Sequence, residues 1–510
     1  MVTTLGIARR TQSMATRTPK GPAKAAPVST STVSAWIDDP ESGLGRVDRP
    51  VPDLSKGTLK YRIKGAAPKP GPYAPGTPQF RYWTAAEALR RGGDFWAPIL
   101  GLSSWQPGKA LPVSLDKGVD LNAYYDRSEL AFFHEAVKGK TYYSGESPDV
   151  ICHEMGHACL DAHRPQLWDA PFIEVGAFHE SFGDMSAILA AIQLPQLRAK
   201  VIASVAAFKS NELSRCAEQL GHAIRLVAPD AVDKDCLRNA YNKFKYVDPQ
   251  TLPDDAPATS LCAEVHSFSR VFTGAFYEIL SGMLHAKSKK PKDADFVAVA
   301  KDLAALLSDA TAAAPVQPDY FAQVAAHMID ADAARFAGRY RDILTEVFVE
   351  RRLVPASAVH PLQAQQRKAM AAVKAVTAVA AASRPQPQSR KIAIPAAQFG
   401  LGDKTIVVVA PVERNPFLTA AAGLSHRTDP PIEDAAQRFV KMLFAHNRVD
   451  VESGKKKMAV TPETPREHLR KTHVLTDAAD GMRLSRRLFH CDCALPCGHY
   501  NGFHGYTEET

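Results

Sequence analysis

The sequence predicts an α+β protein: a short β-rich N-terminal lobe over residues 45–146, a mainly helical lobe over 147–357 and a small appended α/β module over 391–510. Three observations lead there. A chain of 510 residues exceeds the size at which single cores stop growing, about 250–300 residues, so more than one unit is required. Apolar residues make up 45% of the chain, enough to fill those cores. The patterning changes at Ser147, from short apolar runs broken by proline and glycine to long stretches of helical period.

Residues 1–44 read as a disordered basic tail, since Arg9, Arg10, Arg17, Lys20 and Lys24 stand among Ser, Thr, Pro and Ala and no acidic residue precedes Asp38. The same composition suits an organellar transit peptide, but no apolar stretch marks a secretory signal. With eight scattered cysteines in place of a disulfide framework, the expected location is cytoplasmic or non-classically secreted. Within 45–146 one helical pattern stands out, Thr84–Arg91, and an exposed strand is expected around Leu121–Tyr125. At Ser147 a helix begins: Ser147 caps it, Pro148 fits its first position and Asp149 suits the positive end of its dipole. It should stop before Pro165. A second helix is expected over Val175–Leu194, burying Phe178, Met185, Ile188, Leu189 and Ile192 and ended by Pro195. Others are expected at Ala199–Val227, Val265–His285, Asp293–Ala312 and Pro318–Arg351. Residues 358–390 form an Ala/Gln/Pro linker, and beyond it Lys404–Val409 reads as a strand and Pro431–Asn447 as a helix. No run of about 18 apolar residues occurs, so no membrane span is expected. A net charge of +8 is modest for this length, and no nucleic-acid partner is expected from it.

The first predicted helix carries His153-Glu154-Met155-Gly156-His157, an HExxH pattern. Positions i and i+4 share a helical face, so both imidazoles can hold one zinc ion while Glu154 serves as general base. A catalytic zinc takes three protein ligands and keeps one position open, so a third ligand is needed. Glu180 and Asp184, one turn apart on the second helix, supply it: Glu180 as third ligand, Asp184 as the carboxylate that orients His153. The bland alternative is a buried helix with two satisfied histidines. A competing third ligand is His163, ten positions after His153 as in metzincins, although Leu160 stands where that pattern has its turning glycine. Glu174 and His179 are weaker candidates, because neither shares the Glu180/Asp184 face.

Residues 115–290 resemble the thermolysin-like gluzincins, neutral zinc metallopeptidases. The resemblance rests on Asn122-Ala123-Tyr124, on Asp149–His157, on Gly176–Asp184 and on Val265-His266-Ser267, in the family's order and spacing. It implies a thermolysin-like zincin and an endopeptidase acting on peptide or protein substrates. It also implies that His266 stabilises the tetrahedral intermediate and that Asn122 and the Ala123 carbonyl hold substrate backbone. Departures are specific. The family's tyrosine has no counterpart in Leu167–Ile173, and its arginine ahead of the Val-His block is not placed. Position 261 is Leu where an aspartate supports the histidine, and Glu264 is not assigned to replace it. The acids expected after the Glu180 helix are absent from Ala190–Ala203, and Asp149 alone cannot make a calcium site, so one zinc and no calcium are expected.

Two further readings stay open. A catalytically silent or latent zincin would act as a peptide- or protein-binding module. An aminopeptidase of the same chemistry is a near rival, without the G-x-M-E-N signature. At the C-terminus, His490, Cys491, Cys493, Cys497 and His499 place soft ligands close together for a second metal, against the alternative of incidental thiols in a tail. The basic residues there, Lys455–Lys457 with Arg483, Arg486 and Arg487, read as a solvated surface.

Overall fold

Apolar side chains from the N-terminal lobe, the helical lobe and the C-terminal module meet in one main core in the computed structural model, which describes residues 32–203, 208–355, 388–413, 431–451 and 470–491. Helices and several small sheets make it α+β. Helices α1 (Pro78–Leu100), α2 (Pro148–His163), α3 (Ile173–Ala191), α4 (Pro195–Ala203) and α5 (Glu218–Arg225) precede α6 (Val265–Lys287), α7 (Asp293–Ala313), α8 (Tyr320–Phe336), α9 (Arg341–Glu350) and α10 (Ile432–Ala445). At the centre lies α3, buried along its whole length and flanked by α1, α2, α6 and α8.

The N-terminal strands are β1 (Thr32–Trp36), β2 (Arg46–Pro50), β3 (Lys60–Ile63), β4 (Ala110–Ser114), β5 (Ala123–Tyr125), β6 (Leu130–Phe132), β7 (His134–Val137) and β8 (Lys140–Tyr143). Two-residue strands β9 (Arg215–Cys216) and β10 (Arg238–Asn239) pair antiparallel within the helical lobe. Beyond residue 387 come β11 (Gln388–Pro395), β12 (Thr405–Val412), β13 (Val449–Asp450), β14 (His473–Ala478), β15 (Gly481–Arg486) and β16 (Phe489–His490). Strands β11-β12-β15-β14-β13 form one sheet with α10 against it, an α/β module as expected. Strand β16 leaves that module and joins the N-terminal lobe, completing the sheet β16-β5-β6-β4-β3.

Several expectations are corrected. The tail was expected to run to residue 44, but β1 and β2 pair, Val33 and Ala35 are buried, and Trp36 N donates to Thr84 Oγ1 at 3.0 Å; residues 1–31 lie outside the described residues. The pattern at Thr84–Arg91 belongs to a helix of 23 residues, capped by Thr77 and closed by Gly101 at φ 65°. Gly92 and Gly93 do not break it; they admit Met155 and the Tyr61 hydroxyl against the backbone. The strand around Leu121–Tyr125 is buried, not exposed, because β16 covers its edge. A single helix over Ala199–Val227 is replaced by α4, β9 and α5, and Pro195 opens α4 after α3 has ended at Ala191. The Pro318–Arg351 pattern splits into α8 and α9 where Ala337 and Gly338 turn left-handed, at φ 54° and 79°. Most of the linker, residues 358–387, lies outside the described residues, and 388–390 belong to β11. Among the described residues, no helix is long and apolar enough to cross a membrane.

Candidate metal centre

Helix α2 starts as its sequence dictates, with Ser147 Oγ accepting from Val150 N at 3.3 Å and Pro148 in the first turn. It crosses α3 closely because Gly156 and Gly183 face each other: a Cβ on Gly156 would stand 3.0 Å from the Gly183 Cα. The crossing sets His153 and His157 against Glu180. His153 Nε2 lies 3.3 Å and His157 Nε2 3.6 Å from Glu180 Oε2, and all three residues are buried. Among the described residues, none of these three atoms has a hydrogen-bond partner. Buried polar atoms are normally paired, so three converging orphans mark a place built for something else. Donors about 2.0–2.2 Å from a tetrahedral zinc stand roughly 3.4 Å apart, and the observed separations fit. His153, His157 and Glu180 could therefore hold a metal ion.

The surrounding groups fix the imidazoles. Asp184 Oδ1 takes the Nδ1 proton of His153 at 3.0 Å, which turns the Nε2 lone pair toward Glu180. Asp184 is itself gripped by both Nε and Nη2 of Arg238, at distances from 2.6 to 3.3 Å. Burial would raise the Asp184 carboxyl, but Arg238 and His153 hold it well below the usual carboxylate range. Burial likewise opposes a charge on His153, and Asp184 and Glu180 outweigh it, lifting the ring to about 9. Among the described residues no carboxylate stands behind His157; its Nδ1 meets His179 Nδ1 at 3.4 Å, and burial drives its pKa well below the usual value. Glu154, fully buried one turn inside the pair, is pushed up to about 7 by burial.

His266, in the first turn of α6, faces the same point: its Nε2 stands 3.3 Å from Glu180 Oε2. The support that position 261 lacks comes from Glu264, whose Oε1 accepts from His266 Nδ1 at 2.7 Å while Oε2 accepts from the backbone N of His266 and Ser267 at 2.8 and 3.2 Å. One glutamate thus caps the helix and orients the histidine, which corrects the reading that left it unassigned. A cavity of about 530 Å³ opens beside His266 and Arg238, walled on its other side by His446 and Arg448. Ala123 is in β5, and its carbonyl faces the site, accepting from Cys491 N at 2.9 Å. Asn122 is fully buried, with Oδ1 turned to Ala123 N and its carbonyl taken by Ser144 Oγ at 2.7 Å.

Other candidates are not brought in. His163 lies at the end of α2 with its ring nitrogens against the carbonyls of Leu100 and Ser308, at 3.3 and 3.2 Å. Glu174 accepts from Tyr246 Oη and Phe321 N, at 2.6 and 2.8 Å, an interior brace between elements. Cys493, Cys497 and His499, proposed for a second metal, lie outside the described residues, whereas His490 and Cys491 are buried at the site. Asp149 is not alone: Asp38, Asp39 and Glu218 gather round it, and Asp39, Asp149 and Glu218 place ligand atoms within 4.8 Å of one another. One of the two grounds for setting calcium aside is thereby removed: the partners of Asp149 come from the residues just after β1 and from α5, outside the Ala190–Ala203 stretch. Sequence reasoning also missed Arg238; a two-residue strand carries no pattern that announces it. Against known proteins, the chain matches no family model and no curated protein sequence.

Proposed function

We propose that the chain is a zinc-dependent metalloendopeptidase of thermolysin-like gluzincin type. The observation that carries this reading is the convergence of His153 Nε2, His157 Nε2 and Glu180 Oε2, buried and without hydrogen bonds, beside a buried Glu154. A zinc ion held there supplies Lewis acidity, acidifying water and polarising a carbonyl. Glu154 takes the proton from the attacking water and delivers it to the leaving amine. A structural metal site has no use for that carboxylate, so its place favours catalysis over a silent zincin. His266 faces acceptors at both nitrogens, Glu264 at one and a carbonyl at the other, an arrangement that suits a ring donating from Nε2 to a developing oxyanion. Its pKa is raised because Glu180 and Glu264 outweigh burial. The β5 edge, with Ala123, aligns substrate as an added strand, and Asn122 sets that edge.

Glu154→Gln tests the reading. Zinc content should stay at wild-type stoichiometry while peptide hydrolysis falls by about 10² or more, the range general-base loss spans. Retained hydrolysis in that variant removes Glu154 from the base role. His266→Ala should lower kcat/KM at least about tenfold with zinc retained.

A further inference from the structure

We propose that Cys491 is a fourth protein ligand of the metal centre, carried in by a C-terminal strand that lies in the active site as a built-in substitute for substrate. The inference rests on the metallopeptidase reading above and adds a regulatory state to it.

Backbone geometry comes first. Strand β16 runs antiparallel to β5, with Phe489 opposite Tyr125 and His490 opposite Tyr124, and Cys491 N continues the ladder to Ala123 O at 2.9 Å. An extended peptide added to a sheet edge makes this pattern of contacts. The His490 carbonyl then accepts from His266 Nε2 at 2.8 Å, where the proposed mechanism places a substrate oxygen. The Phe489 ring stacks on His179 and His157, with centroids 4.0 and 4.8 Å away, under the Arg486 guanidinium at 4.0 Å. A chain segment that satisfies the edge strand, the histidine donor and a side-chain slot together occupies the place of a substrate.

The next side chain is a thiol. Ligand atoms of Cys491, His153 and Glu154 lie within 4.8 Å of one another, and Cys491 is 1% exposed. Cys491 belongs to the apolar core, yet its sulfur also stands beside an imidazole and a carboxylate. The independent sign of a ligand is the set of buried, unbonded atoms on His153, His157 and Glu180, which Cys491 reaches at His153, the residue shared by the two clusters. Thiolate sulfur binds zinc at about 2.3 Å, and two imidazoles, a carboxylate and a thiolate make a closed tetrahedral set with no open position. On ligation the S–H bond breaks, a sulfur–metal bond forms, and the proton passes to the Glu154 carboxylate alongside. That step removes the open coordination position and the general base together. Activity then requires the strand to leave, on modification of the thiol or on capture of the C-terminal module by a partner.

Cobalt(II) substitution of the full-length protein tests this without relying on turnover. Thiolate ligation to cobalt gives an intense charge-transfer absorption that nitrogen and oxygen ligands do not. We expect one bound cobalt and this absorption in the wild type, its loss with cobalt retained in Cys491→Ser and in Cys491→Ala, and its retention in Cys493→Ser. If the closed state holds nine-tenths of the molecules or more, zinc-loaded Cys491→Ser should cleave peptide at least about tenfold faster than wild type. Cobalt bound without the absorption, or an absorption that survives both Cys491 variants, overturns the proposal and leaves the metallopeptidase reading standing. Failure to bind cobalt at all, with the same result in His157→Ala, overturns both.

Discussion

Gly183 decides how near His153 stands to α3. A Cβ at that position would lie 2.6 Å from the ring's Nδ1 and Cε1, nearer than atoms approach without displacement. Helix propensity alone favours alanine there by about 1 kcal/mol. The clash should win at the site even if the helix gains: Gly183→Ala is expected to lower zinc affinity by about 10–100-fold, as other disturbances of ligand orientation do. Competition with a chelating dye reads this directly, and an unchanged affinity would show that the ring has room to move. Asp184→Asn should weaken metal binding over the same rough range and also leave Arg238 half-paired in the interior, at about 1–3 kcal/mol of stability. The Asp184–His153 contact was legible because Glu180 and Asp184 lie one helical turn apart and so share the face that meets α2. The roles of Gly183 and Arg238 were not. One depends on what a neighbouring helix brings against a missing side chain, the other on a partner 54 residues away.

At the scale of elements, α2 is held at its N-terminus by four buried carboxylates. Asp39 Oδ2 accepts from Ser147 Oγ at 2.6 Å, and Asp149 Oδ2 from Ala217 N at 3.0 Å at the entry to α5. Burial, then the Asp149 charge, pushes Asp39 up to about 7, and burial with mutual repulsion raises Asp38, Asp149 and Glu218 too. The folded state therefore keeps protons that the unfolded chain has lost, since ordinary carboxyl values are about 4. Stability from this cluster is full below about pH 4 and drains away as pH rises through neutrality. Glu218→Gln should gain on wild type steadily from pH 5 to pH 8 in calcium-free buffer, by about 1 kcal/mol or more, in urea melts. A variant that loses ground with rising pH would contradict the assignment. Caps and periodicity made α2, α6 and α7 readable nearly to the residue, because each is long and carries its signals locally; α3 was placed only to within two or three residues at each end. Where long-range packing overrode a local signal, the reading failed, as at Gly92 and Gly93 within α1.

Across the whole molecule, the C-terminal module was legible as a folded unit and misread as a separate one. Its sheet and α10 follow from local pattern, but nothing in the chemistry of Leu488–Cys491 announces that this segment lies on β5, 360 or so residues back. Charged contacts hold it there. Arg164 meets Glu413 at 2.5 Å, Arg438 pairs with Asp254 and donates to Leu252 O at 2.9 Å, and His446 Nε2 donates to Asp254 O at 2.7 Å. The arginines of these pairs are largely shielded from solvent while Asp254 is partly exposed, so deleting the Arg438 charge removes the clamp without stranding a buried carboxylate. Arg438→Met keeps much of the side-chain bulk while deleting the charge and both of its contacts. If the module docks as one piece, that variant should speed amide exchange across β16 and at Ala123–Tyr125, which β16 covers, and leave α2 and α3 as protected as in wild type. Hydrogen exchange followed by peptide mass analysis separates these segments. Faster exchange confined to α10 would mean that β16 is held by its own contacts in the site, with Phe489 and Cys491 as its anchors. Faster exchange in β16 would mean that the distant clamp governs access to the His153/His157/Glu180 site.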